Sequence, residues 1–223
     1  MVFTKFVHDF GIRGENVFKL RRNSHLLDPN RHVGHESRKT YADKIASGFF
    51  DKYLSGDAVL GIGFRGGDYP DVVPIVPHAT GVDVDYPGYD GIHLPFPDES
   101  QDAVYNSHCL EHIANYHDAL LEWYRVLKIG GYLIIVVPHQ HMFERRARPP
   151  SRLVGNHFRF YTPSKLLREI EETYAPNSYR VRHLIDNDKG YDYRPPENEH
   201  WVTGCYEIEL VLEKLQQPSW SLV

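Results

Sequence analysis

The chain has 223 residues, 41% of them hydrophobic and 13% aromatic, enough for one globular domain with a substantial core. A formal net charge of −5 argues against nucleic-acid binding through phosphate neutralisation, and no apolar run approaches membrane-spanning length. The two cysteines, Cys109 and Cys205, provide neither a disulfide framework nor a paired-cysteine zinc spacing, so a reducing cytoplasm is the expected compartment.

Residues 1–35 are polar and irregular, with no secretory pattern, and read as an extension packed over the core. In 36–55, Tyr41, Ile45, Phe49 and Tyr53 recur four apart, which predicts one amphipathic helix ended by Gly56. "DAVLGIG" (57–63) predicts a short buried strand. Pro70, Pro74 and Pro77 rule out a long helix over 68–80. "GVDV" (81–84) and "DAVYNS" (102–107) predict two further strands. Leu120, Trp123 and Leu127 predict a helix over 117–128 closed by Gly130 and Gly131, and the apolar "YLIIVV" (132–137) predicts a central parallel strand. Thr162 and Pro163 form a helix start, with Leu166, Leu167, Ile170 and Tyr174 as its buried stripe. "YRVRHLI" (179–185) is a strand. "CYEIELVLEK" (205–214) alternates apolar residues with glutamates, which predicts a strand with one wetter face, in an antiparallel or edge position. Alternating strands and helices predict a doubly wound α/β sheet. The expected division is one domain over 1–223, with an N-terminal extension and helix (1–55) and an α/β core (56–215).

"GIGFRG" (61–66) matches G-x-G-x-x-G, and Asp83 lies about twenty residues on, where a carboxylate suits ribose hydroxyls. Such a loop lets backbone amides approach a ligand and admits a dinucleotide or another adenosine cofactor. The block "LPFPDESQDAVYNSHCLEHI" followed by "ALLEWYRVLKIGGYLIIVVPH" is more specific. It resembles class I methyltransferases that use S-adenosylmethionine (SAM), and "RFYTPSKLLREIE" resembles the family's helix before its last two strands. The resemblance covers roughly residues 57–214 and implies a Rossmann-like sheet, mostly parallel with an antiparallel last strand.

By this resemblance Gly61, Gly63 and Gly67 form the loop beside the methionine part of SAM, and Asp83 holds the ribose. Asp90 meets the adenine amino group with the Gly91 backbone beside it, and Ser107 and His108 line the methionine side. Two features depart from the family. Gly61 stands where it carries an acidic residue and Arg65 where it carries glycine. Only six residues separate Asp83 from Asp90, so a helix and the third strand are largely deleted.

Methyl transfer from a sulfonium needs alignment, and an oxygen acceptor must also lose a proton, a task suited to histidine. His139, directly after the central strand, is the first candidate, with His108 and His112 beside it. The connection 139–162 carries Arg145, Arg146, Arg148, Arg152 and Arg159 among aromatic residues, which suits a phosphate or carboxylate. The acidic turn "DNDKGYD" (186–192) reads as a plain turn, so no metal is expected. The implied protein is a SAM-dependent methyltransferase acting on oxygen of a small polar or sugar-like acceptor, anionic or nucleotide-linked, with no nucleic-acid or membrane partner. A non-catalytic relative that keeps the fold as a binding module is the alternative.

Overall fold

The computed structural model describes residues 27–64, 71–194 and 202–220. Its centre is a six-stranded sheet built from β1 (Val59–Ile62), β2 (Ala79–Val82), β3 (Gln101–Ser107), β4 (Leu127–Pro138), β5 (Tyr179–Asn187) and β6 (Glu207–Lys214). The spatial order is β2-β1-β3-β4-β6-β5. The first four strands are parallel, and β6 lies antiparallel between β4 and β5. This is the predicted mixed α/β sheet. The deletion after β2 is also visible, because β2 is an edge and no strand lies between it and β3 among the described residues.

Period-two alternation sends neighbouring side chains to opposite faces. Leu133, Ile135 and Val137 face one core with Trp123, Leu166 and Ile170 from α3 (Tyr116–Val126) and α4 (Pro163–Thr173). Ile134, Val136 and Val211 face a second core with Tyr41, Phe49 and Phe50. At the start of α4, Thr162 accepts a hydrogen bond from the Lys165 N–H and Pro163 takes the first helical position.

Three expectations need correction. The helix over 36–55 is two helices, α1 (Arg38–Ala46) and α2 (Phe49–Tyr53), because Gly48 takes a left-handed φ of 71° between them. Gly130 and Gly131 do not follow a finished helix. β4 starts at Leu127, and the two glycines sit in an irregularity of its pairing with β3, where a Cβ on Gly131 would lie 2.9 Å from the Lys128 carbonyl. Finally, β6 is antiparallel, as one of its two expected positions required, but it is interior and its face at Glu207 and Glu209 is dry rather than wet. Glu207 is 1% exposed and Glu209 8%. Glu209 pairs with Lys44 of α1 at 2.5 Å and His183 of β5 at 2.8 Å, so cations from two other elements replace the water that the alternation implied.

Candidate active site

In an open α/β sheet, ligands sit beyond the carboxyl ends of the strands. A cleft of about 720 Å3 opens there. Small-molecule sites usually span roughly 300–1,000 Å3. Its walls combine Gly61, Gly63 and Phe64 from the end of β1 and Ser107, His108, Glu111 and His112 after β3. The segment 32–37 and residues Phe143, Val154, Asn156 and His157 of the long connection complete it.

Gly63 has φ 75°, and its N–H donates to the Val82 carbonyl at 2.9 Å. A Cβ there would stand 2.7 Å from the Cys109 Cβ, so both backbone angle and packing require glycine. The Phe64 ring lies against Gly81 of β2, where an added Cβ would meet it at 2.3 Å, and the cleft beside it stays open. Gly67 and Arg65 lie outside the described residues.

The expected nucleoside contacts do not line this cleft. The Asp83 carboxylate accepts a bond from the Val84 N–H at 2.7 Å in the turn after β2. Asp90 caps its own turn, accepting from the N–H groups of Ile92 and His93 and lying 2.7 Å from the His93 ring. These bonds hold its carboxyl well below the usual range, the His93 side chain contributing most. The Gly91 carbonyl accepts from the Tyr89 hydroxyl at 3.0 Å. Asp83, Asp90 and Gly91 therefore belong to a self-bonded loop beside the cleft.

His108 sits at the cleft floor with φ 51°. Its Nε2 is 3.3 Å from Glu207 and 4.0 Å from Glu36, and its Nδ1 is 3.8 Å from Glu111. Burial opposes its charge, but Glu207 and then Glu36 outweigh it and raise the histidine above its ordinary value. Burial likewise opposes charge on Glu36, and His108 and Lys39 overcome it, so this carboxylate is held below its ordinary range. The Ser107 hydroxyl lines the same wall, buried and without a hydrogen-bond partner.

His112 donates from Nδ1 to the Asn156 carbonyl at 3.2 Å, and burial lowers its pKa. His139 is 8% exposed and outside the cleft wall; its Nε2 faces Asp186 at 3.6 Å and its Nδ1 accepts from the His141 N–H. None of the arginines of the long connection lines the cleft. Arg159 donates to the Leu110 and Ala114 carbonyls and Arg146 to Pro150, and no lysine or arginine is among the described residues of the wall.

Glu36, Glu111, Glu207 and His157 were missed in the sequence. Glu111 stands in the quoted Leu-Glu-His segment, three residues after His108, the one local signal available. Glu36 and Glu207 come from elements more than 170 residues apart and have none.

A family described as "Methyltransferase domain" matches residues 75–135. Two demethylmenaquinone methyltransferases of Tropheryma whipplei, strains Twist and TW08/27, are each 33% identical over 131 residues, 57% of this chain and 46% of the relative. The chain thus spans about half the length of the curated relatives it matches. The solved SAM-dependent methyltransferase of Aquifex aeolicus superposes with a TM-score of 0.50 at 14% identity, covering 85% of this chain and 100% of that one. That of Archaeoglobus fulgidus gives 0.50 at 15%, covering 82% and 96%. The fold is the one these enzymes share.

Proposed function

We propose that this chain, which carries the class I SAM-dependent methyltransferase fold, transfers a methyl group from SAM to an oxygen of a small polar acceptor. One observation carries the reading: the glycine turn after β1 and His108 and Glu111 after the neighbouring strand β3 line one cleft of about 720 Å3. The residues present fit the methionine end of the cofactor. Gly61 and Gly63 offer close backbone approach, the unpartnered Ser107 hydroxyl offers a hydrogen bond, and Glu36 supplies the carboxylate that Gly61 lacks, suited to an ammonium group. SAM supplies an electrophilic methyl on a sulfonium, displaced in line.

The chain's own residues align the acceptor, exclude water and take its proton. His108, in its neutral form, is the proton acceptor, with Glu207 holding the ring. With carboxylates and histidines as the described charged groups of the wall, an uncharged hydroxyl fits better than the phosphate or carboxylate expected from the arginine loop. Sugars and nucleotide sugars form one arm of the substrate panel. A demethylated quinone forms the other, after the named substrate of the T. whipplei relatives.

Calorimetry with SAM and its demethylated product tests the reading first, and binding of neither overturns it in favour of the binding module. His108→Gln should then lower turnover at saturating SAM by about 10²–10⁴-fold. Unaltered turnover would remove His108 from the chemistry.

A further inference from the structure

Next to the His108 cluster, the same cleft holds a second group that methyl transfer does not use. Glu111, His112 and His157 each offer a ligand atom, all within 4.8 Å of one another. We propose that these three residues form a binding site for a divalent first-row transition ion, of the two-histidine, one-carboxylate kind that suits Zn2+.

Three features distinguish the group from a chance cluster. The Glu111 side chain is completely buried, and neither carboxylate oxygen accepts a hydrogen bond from another residue. The histidine nitrogens beside it, His108 Nδ1 at 3.8 Å and His112 Nε2 at 3.9 Å, stand beyond hydrogen-bond distance. Burial raises the pKa of this carboxyl, and a bound cation in place of a proton removes the cost of its charge.

Second, both imidazoles are held from behind. His112 Nδ1 lies 3.2 Å from the Asn156 carbonyl, and His157 Nδ1 is hydrogen-bonded to Glu144, itself buried on the turn Gln140–Glu144. Each contact fixes the proton on Nδ1 and leaves Nε2 as a lone pair, as at metal-bound histidines. His112 Nε2 is the atom turned towards Glu111.

Third, the backbone brings the ligands together deliberately. The Phe158 N–H donates to the Glu111 carbonyl at 2.9 Å, and the Arg159 guanidinium donates to the Leu110 and Ala114 carbonyls. The long connection is thereby clamped onto the turn carrying Glu111 and His112. The two rings end 4.5 Å apart and nearly perpendicular, at 77°. Bonds of about 2.0–2.1 Å to tetrahedral zinc imply ligand atoms about 3.4 Å apart. The 3.9 Å between Glu111 and His112 closes to that with a small side-chain shift. Three protein ligands leave the fourth position open towards the cleft, where a water or acceptor oxygen would bind. This departs from the metal-free expectation drawn from the sequence, which considered only the turn at 186–192.

The site is tested on the full-length protein after chelation and dialysis. Co2+ titration followed by visible absorption, with zinc content by mass spectrometry, should show one equivalent bound and the intense bands of a low-coordinate site. His112→Ala, at a half-exposed side chain, and the isosteric Glu111→Gln should each weaken Co2+ binding at least tenfold, while Glu36→Gln leaves it unchanged. Failure of the wild-type protein to bind either ion overturns the proposal, whatever the variants' folding. Loss on Glu36→Gln with retention on His112→Ala and Glu111→Gln also overturns it, by placing the ion on Glu36, His108 and Glu207. Because the readout is metal binding, it stands or falls separately from methyl transfer.

Discussion

Two single residues decide whether the cleft can receive a nucleoside cofactor. Gly63 combines a left-handed backbone with a Cβ position 2.7–2.8 Å from the Cys109 side chain. Gly63→Ala should cost about 1–3 kcal/mol of stability and weaken SAM binding, read by thermal unfolding and calorimetry. A variant with wild-type values would show the turn to be tolerant and its glycine incidental. Glu36 is the second. If its ionised carboxylate replaces the acidic residue missing at Gly61, Glu36→Gln should weaken SAM about 10–100-fold, the worth of one charge-assisted hydrogen bond. Equal affinities would return the ammonium-binding role to another group. The glycines were legible because a strand ending in G-x-G has few other uses. Glu36 was not, since nothing in "GHESRK" announces a partner as distant as Tyr206, whose hydroxyl it accepts at 2.6 Å.

At the level of elements, strands read off more faithfully than helix boundaries. Apolar runs such as "YLIIVV" are buried whichever neighbour they pair with. The four-residue spacing of Tyr41, Ile45, Phe49 and Tyr53, by contrast, survives a break at Gly48 because both short helices present those residues to the same core. The largest misreading, the wet face of β6, was non-local in origin: Glu209 is neutralised by α1 and β5. Burial works against its charge, and the His183 hydrogen bond and Lys44 prevail, so the carboxyl is held below its ordinary value of 4.5. A depressed carboxyl contributes stability above its unfolded value and loses it as pH falls through the folded one. At pH 7, Glu209→Gln should therefore destabilise the protein by about 3–5 kcal/mol by leaving Lys44 buried without its counter-charge. The difference from wild type should shrink below about pH 4.5. Parallel melting curves across that range would refute the assignment.

Over the whole molecule, one sheet serves two cores. Trp123, completely buried, anchors the face under α3 and α4, while Phe50 anchors the face under α2. Strands that contribute alternate residues to both faces cannot release one alone. Trp123→Ala should cost about 3–5 kcal/mol and Phe50→Ala a similar amount, and each should lower one shared calorimetric transition. Two separated transitions in either variant would mean that the N-terminal helices fold as an independent layer. The mostly parallel sheet with an antiparallel last strand was foreseeable from the strand pattern and the family resemblance. The convergence of Glu36, Glu111, Glu144 and Glu207 with His108, His112 and His157 at one end was not, because no stretch of sequence contains it.

The alignment of β6 has a consequence for how the cleft comes into being. Glu207 and Glu209 point to one side of that strand and Ile208, Leu210 and Leu212 to the other. Sliding the strand by a single residue against β4 would bury the acids in the oily layer and turn leucines towards His108. Only one seating yields a working floor, and it is supplied by the final strand in chain order. The glycine turn, some 145 residues earlier, therefore shares its cleft with a floor set by a strand remote from it in sequence.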